Sequence, residues 1–183
     1  MFENNKYTTT AVEFLKEVKS KNGEVELPKN VVVIGGGDVA MDVSTTLKKL
    51  DVPFVTDVIY EESHEFVASK KELEGTRNEG VTMIDGYAPE SVKDNVITFK
   101  HRELNSTLEI EADLIILAVG QKVEDALGLE INRNEVTFEG AHVENTNVFV
   151  TGDLAQGDKT VVWAVKKGKD AAKAVDAYLG GVQ

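Results

Sequence analysis

The chain has 183 residues, with 20 Lys plus Arg set against 32 Asp plus Glu, a formal charge of −12. This length can bury a core without help from a disulfide or a metal, and it suits one domain with an attached lobe. The acidic balance repels phosphate backbones and anionic lipid, which excludes a nucleic-acid partner and argues against a membrane surface. The chain has no Cys, which rules out a redox CxxC, a thiolate nucleophile and a cysteine-ligated iron–sulfur or zinc centre.

The opening segment Met1-Phe2-Glu3-Asn4-Asn5 has neither the basic nor the apolar stretch of a signal peptide. No apolar run approaches the roughly 18 residues of a membrane-spanning helix. A cytoplasmic protein is the expectation. Residues 8–20 predict a short amphipathic helix, with Val12, Leu15 and Val18 at helical spacing and a Thr as cap. Residues 21–29, with Gly23 and Pro28, read as a linker, so 1–29 form an N-terminal helix and linker.

Val31-Val32-Val33-Ile34 is a dense β-branched run stopped by Gly35-Gly36-Gly37, the pattern of a buried parallel strand ending in a tight turn. Residues 37–50 follow as a helix with Val39, Ala40, Val43, Leu47 and Leu50 inward. A second strand is expected at 55–60, a helix at 68–79 and a third strand at 81–84. Beyond Gly86 the pattern alternates over 90–112, with strands at 96–99 and 108–110, an antiparallel meander used as a crossover. Residues 112–119 read as a further apolar strand ending at Gly120. Val148-Phe149-Val150 is expected as a last strand and 160–179 as a last helix. The order predicts an α/β, Rossmann-like, mainly parallel sheet with an antiparallel β-meander crossover and a C-terminal strand–helix lobe.

Gly35-Gly36-Gly37-Asp38-Val39-Ala40 fits G-x-G-x-x-A directly after a strand and opening a helix. Gly35 permits the turn, Gly37 allows close approach of a pyrophosphate, and Ala40 lets helix and strand pack. The helix start offers free N–H groups and the positive end of its dipole. The same turn also suits S-adenosylmethionine, or an empty site. Asp38 stabilises an empty helix start but repels a pyrophosphate unless it points away. Glu61 lies 26 residues beyond Gly35, near the usual ~20 for the acid that holds a ribose and rejects a 2′-phosphate. His64, His101 and His142 lack metal-ligand spacing, and no G-x-S-x-G elbow supports a hydrolase. Trp163, among apolar neighbours, reads as core packing. Asp153 reads from spacing alone as a cap of the last helix.

GGGDVAMD at 35–42, preceded by LPKNVVVI, resembles the second nucleotide-binding domain of the glutamate synthase small subunit and its relatives, two-domain FAD-containing pyridine nucleotide oxidoreductases. Ala118-Val119-Gly120 is similar to the strand end where that family's chain crosses back to its flavin domain. Asn147 to Asp153 is similar to its late flavin-contacting strand, and Val161 to Ala172 to the helix that follows. The resemblance runs from about residue 8 to the C-terminus. It implies a nicotinamide-dinucleotide-binding domain over 30–120 and the C-terminal segment of an incomplete FAD-binding domain over 121–183. It implies cofactor contacts at Gly35, Gly36, Gly37, Asp38, Val39, Ala40, Glu61, Gly120, Gly152 and Asp153, with no catalytic side chain and no metal.

In the intact enzyme hydride would pass from the nicotinamide to FAD. FAD is expected only in the complete enzyme, since the family's first glycine fingerprint has no counterpart here. The chain alone is expected to be colourless and inactive. Its expected partners are a nicotinamide dinucleotide, the missing FAD-binding half or a partner subunit, and a second copy in a two-fold dimer. Two departures stand out. Val123 occupies a position where the family often has Pro, and Tyr60-Glu61-Glu62 stands where NADPH-dependent relatives read Tyr-Arg-Arg. The second departure makes NAD the expected cofactor over NADP. The alternative is a non-catalytic Rossmann-fold module for nucleotide binding or protein interaction.

Overall fold

The computed structural model describes residues 2, 5–121, 129, 131–132, 135–136, 138, 140–155 and 159–180. The chain forms two compact units, Met1–Gly120 and Gln121–Gln183.

In the first unit β1 (Thr8–Thr10), β2 (Asn30–Ile34), β3 (Phe54–Val58), β4 (Thr82–Ile84) and β8 (Leu114–Leu117) form one sheet in the order β1-β8-β2-β3-β4. Every pairing in it is parallel. Helices α1 (Ala11–Ser20), α2 (Asp38–Lys49) and α3 (Lys70–Asn78) connect the strands. β5 (Tyr87–Lys93), β6 (Val96–His101) and β7 (Thr107–Glu111) make a separate antiparallel sheet between β4 and β8.

The period of two along each strand sends alternate side chains to opposite faces. Val31 and Val33 of β2, Val55 of β3 and Ile116 of β8 join Ala40, Met41, Val43 and Leu47 of α2 in a core that also takes Phe14 of α1 and Leu73 of α3. Val32, Ile34, Val58 and Ile115 face the other way and pack with Ile97 and Phe99 of β6. The parallel sheet is therefore covered on both faces, by helices and by the meander, which is why its strands read as unbroken apolar runs.

Three elements differ from the sequence expectation. Thr8–Thr10 is not the first turn of a helix but an edge strand paired with Ile115–Leu117. Three consecutive β-branched residues favour extended backbone, and Thr10 caps α1 instead, in a reciprocal box with Glu13. β5 carries no clean alternation because its register shifts between Pro89 and Ser91, and Pro is tolerated there because β5 is an edge. Val39 is half exposed on the rim of α2 rather than inward, and Met41 is buried in its place.

The second unit contains the short antiparallel pair β9 (Ile131–Asn132) and β10 (Glu135–Val136), a 3-10 turn over Gly152–Leu154 and α4 (Val161–Tyr178). The strand expected at 148–150 is reduced to one antiparallel bridge, between His142 and Phe149. Only the bonds Val143 N–H to Val148 O and Val150 N–H to Ala141 O flank it, so no longer ladder develops. His142, Phe149 and Tyr178 then pack ring on ring. Within the expected Val123 departure, residues 122–128 lie outside the described residues.

Candidate dinucleotide-binding site

The chain runs from β2 outward through β3 and β4, then returns through the meander to β8 on the other side of β2. The strand order therefore reverses between β2 and β8, and the carboxyl ends of these two strands flank the crevice where open α/β sheets bind ligands. Ile34 pairs with Leu117, and the Ala118 N–H donates to Ile34 O at 2.9 Å. Gly35-Gly36-Gly37 thus leaves β2 directly beside Ala118-Val119-Gly120, and Val119 and Gly120 are exposed at that edge.

The three glycines answer three different constraints. A Cβ on Gly35 would lie 2.5 Å from the Ala118 carbonyl oxygen, so the turn can rest on β8 only without a side chain. A Cβ on Gly36 would lie 2.7 Å from Ile59 Cγ2 and 2.5 Å from Glu61 Oε2. Gly37 is different: a Cβ there would meet nothing within 4 Å, and its φ of −97° suits any residue. No fold constraint explains Gly37, whereas a ligand approaching the backbone would.

Gly37 is also the N-cap of α2, and no side chain caps this end. The first N–H groups of a helix lack a carbonyl four residues back, and the dipole is positive there; the Ala40 N–H is taken up by Gly37 O at 2.9 Å, and those before it face the crevice end of the helix. The nearby acid, Asp38, does not close the site. Its Oδ1 accepts the backbone N–H of Ser69 at 2.8 Å, so the carboxylate reaches across to the start of α3. Ala40 is fully buried against the strand, and Val39 lines the rim.

Glu61 follows the carboxyl end of β3, half-buried, with its carboxylate lying against Gly36. The structure thus brings Gly35, Gly36, Gly37, Asp38, Val39, Ala40 and Glu61 to one end of one sheet, with Gly120 at the neighbouring strand end. Gly152 and Asp153 belong to the second unit, where the Lys167 ammonium donates to the carbonyls of Gly152 at 3.2 Å and Ala155 at 3.1 Å. Asp153 is exposed and does not cap α4. That role falls to Thr160, which accepts the Trp163 N–H. Trp163 is not core packing either: it is 38% exposed beside the Lys166 ammonium.

The histidines occupy three separate surroundings. His64 is exposed near Glu62, and His142 stacks on Phe149. His101 accepts the Glu103 and Leu104 N–H groups on Nδ1. Among the described residues no three metal-ligating side chains converge, and no helix is long and apolar enough to cross a membrane.

Two features were invisible in the sequence. Asp57 of β3 is fully buried among the apolar residues under α2, with Oδ1 unpaired and Oδ2 3.5 Å from Ser44 Oγ. Burial pushes its carboxyl well above the usual range. The second is a cluster beside Glu61. Arg102 lies over the Tyr60 ring, 4.9 Å from its centre, and pairs with Glu65. Glu65 is held below the usual carboxylate range by the Glu62 backbone N–H and by Arg102. Tyr60 and Glu65 were readable as neighbours of Glu61, but Arg102 comes from the meander, some 40 residues on, and only folding places it there.

A family model described as pyridine nucleotide-disulphide oxidoreductase matches residues 3–168. The chain is 47% identical over 173 residues to the NAD-dependent dihydropyrimidine dehydrogenase subunit PreT of Escherichia coli, covering 93% of this chain and 42% of that protein. It is 29% identical to the glutamate synthase [NADPH] small chain of Azospirillum brasilense, covering 82% of this chain and 37% of that one. The chain thus spans under half the length of these curated relatives. Its fold is similar to that of T. acidophilum thioredoxin reductase, with a TM-score of 0.77 at 17% identity over 97% of this chain and 59% of that one. The family model and the curated relatives agree with the glycine turn at the reversal of the sheet: the chain belongs to the pyridine nucleotide-disulphide oxidoreductase family.

Proposed function

We propose that residues 30–120 bind a nicotinamide dinucleotide, NAD in preference to NADP, within a flavin-dependent oxidoreductase whose FAD-binding domain is completed in part by residues 121–183. The family works with a nicotinamide cofactor and FAD, and the finer assignment rests on this chain's own residues. The observation that carries it is the uncapped start of α2 over Gly37, where the backbone is bare and nothing in the fold demands a glycine.

The α2 N–H groups would bind the pyrophosphate, Gly37 would let it approach, and Val39 would border it. Glu61 would accept hydrogen bonds from the ribose hydroxyls and repel a 2′-phosphate. Gly120 would border the crevice from β8, and Gly152 with Asp153 would contribute to the flavin side. When both cofactors are bound, the nicotinamide supplies a hydride and the flavin accepts it; the protein positions them. The PreT relatives are named NAD-dependent, and the more distant glutamate synthase chain is named with NADPH, which supports the reading of Glu61. The relatives are named as a subunit and as a small chain, so a partner subunit is part of this proposal.

Gly37→Ser tests it. Ser is at least as good an N-cap as Gly, and its Cβ meets no atom, so thermal stability should hold or rise slightly. NADH affinity should fall at least about tenfold, because the side chain enters the phosphate site. Unchanged NADH affinity, or tighter binding of S-adenosylmethionine than of NADH by the unaltered chain, would refute the assignment.

A further inference from the structure

The residue that follows β3 and Ile59 is Tyr60, and its ring carries the Arg102 guanidinium 4.9 Å from the centre. Tyr60 is the sequence neighbour of Glu61, the residue placed at the ribose. The backbone fixes the arrangement. The Gly86 N–H donates to Glu61 O at 3.2 Å, and the Arg102 N–H donates to Gly86 O at 2.8 Å. Arg102 is therefore tied through Gly86 to Glu61 itself.

The guanidinium is not turned toward Glu61. It pairs with Glu65, and the Glu62 N–H also donates to Glu65 Oε2 at 3.4 Å. Glu65 lies in the turn after β3, closed by its own N–H on Glu62 O at 2.7 Å. The Arg102 side chain is only 23% exposed against 41% for Glu65, so the pair is partly shielded from water and from salt.

We propose that Glu65 is a specificity-determining residue, which holds Arg102 on Tyr60 and so withholds a cation from the place where a 2′-phosphate would sit. This rests on the reading of the glycine turn as a nicotinamide-dinucleotide site with Glu61 at the ribose. An Arg beside the end of the second strand ordinarily favours a 2′-phosphate, because its planar fork matches phosphate oxygens. Here the same cation is present, yet its charge is spent on Glu65. Discrimination against the phosphorylated dinucleotide thus has two parts: repulsion by Glu61 and Glu62, and sequestration of Arg102.

The test is calorimetric titration of NADH and NADPH into the chain, Glu65→Gln, Arg102→Gln and the double variant. In Glu65→Gln, NADPH should bind about tenfold tighter while NADH stays within about twofold, which also reports an intact fold. In the double variant NADPH affinity should return to that of the unaltered chain. Unchanged NADPH affinity in Glu65→Gln with NADH binding retained would overturn this inference alone. So would a gain that persists in the double variant, since simple loss of a negative charge would then explain it. Absence of binding of either nucleotide by the unaltered chain would overturn the site itself and this inference with it. Were Glu65→Gln unfolded, Arg102→Gln still decides: NADPH affinity must not rise, and any tenfold gain there would contradict the role given to the guanidinium.

Discussion

Asp38 accepts the backbone N–H of Ser69 at 2.8 Å, joining the first turn of α2 to the cap of α3. An acid at the fourth position of a phosphate-binding glycine turn would repel its ligand if it pointed into the site. Here it is committed elsewhere, and it leaves the helix start positive.

Asp38→Ala should therefore weaken the fold without harming the site. Loss of a charge-assisted hydrogen bond at an exposed position should cost about 1 kcal/mol, lowering Tm by about 2–4 °C. Relief of the neighbouring Asp42, raised by burial and then by the Glu72 and Asp38 charges, offsets part of that loss. NADH affinity should stay within about threefold. A gain of about tenfold in NADH binding would show that the carboxylate faces the phosphates instead.

Gly35 and Gly37 should separate stability from binding. Gly35→Ala puts a Cβ 2.5 Å from the Ala118 carbonyl oxygen, a contact with backbone that only movement of β2 or β8 can relieve. A loss of about 2–4 kcal/mol is expected in denaturant unfolding, by analogy with overpacked cores and strained sites. Gly35→Ala as stable as the unaltered chain would mean that the turn does not rest on β8.

Asp57 predicts an unusual dependence on pH. Its carboxyl is raised above 3.8 by burial, so the folded chain holds this proton where the unfolded chain has released it. The contribution is fully favourable below the unfolded value and is lost as pH rises through the folded one. Asp57→Asn removes the titration. Thermal melts from pH 4 to 8 should show the variant gaining on the unaltered chain as pH rises. A constant difference across that range would show that Asp57 is ionised when folded.

Helix α4 exposes a continuous apolar turn, with Val161 at 81%, Val162 at 77% and Val165 at 55% exposure. Such a surface marks a contact site more often than a solvated face. The chain is expected to self-associate, most simply as a two-fold dimer, and light scattering should give about twice 20.0 kDa. Val162→Glu with Val165→Glu should return it to one chain. A monomer at high concentration for the unaltered chain would contradict this.

The sheet was legible because β2, β3 and β8 are buried on both faces, so Val31 to Ile34 and Leu114 to Leu117 stand out as apolar runs. The glycine turn was legible because its motif sits between strand and helix. Thr8–Thr10 was not, since a Thr can serve equally as strand residue and as helix cap, and tertiary pairing with β8 decides. β5 was hidden by Pro89 and the shifted register. Within the site, the motif assigns Gly35 to the turn and Gly37 to the close approach of a ligand, but it does not say what either one touches. The structure supplies that: a Cβ on Gly35 would meet the Ala118 backbone, and one on Gly37 would meet nothing within 4 Å. The Tyr60–Arg102–Glu65 cluster joins segments some 40 residues apart, a distance no local pattern spans.

Calorimetric titration of NADH and NADPH into the unaltered chain and into Glu61→Arg with Glu62→Arg decides which dinucleotide the glycine turn and Glu61 hold. Two carboxylates near a 2′-phosphate in a partly solvated site should cost on the order of 1–3 kcal/mol, so NADH should bind roughly ten- to hundredfold tighter than NADPH. The double variant should narrow or reverse that order. NADPH binding as well as or better than NADH in the unaltered chain would contradict the role of Glu61, and binding of neither would contradict the site.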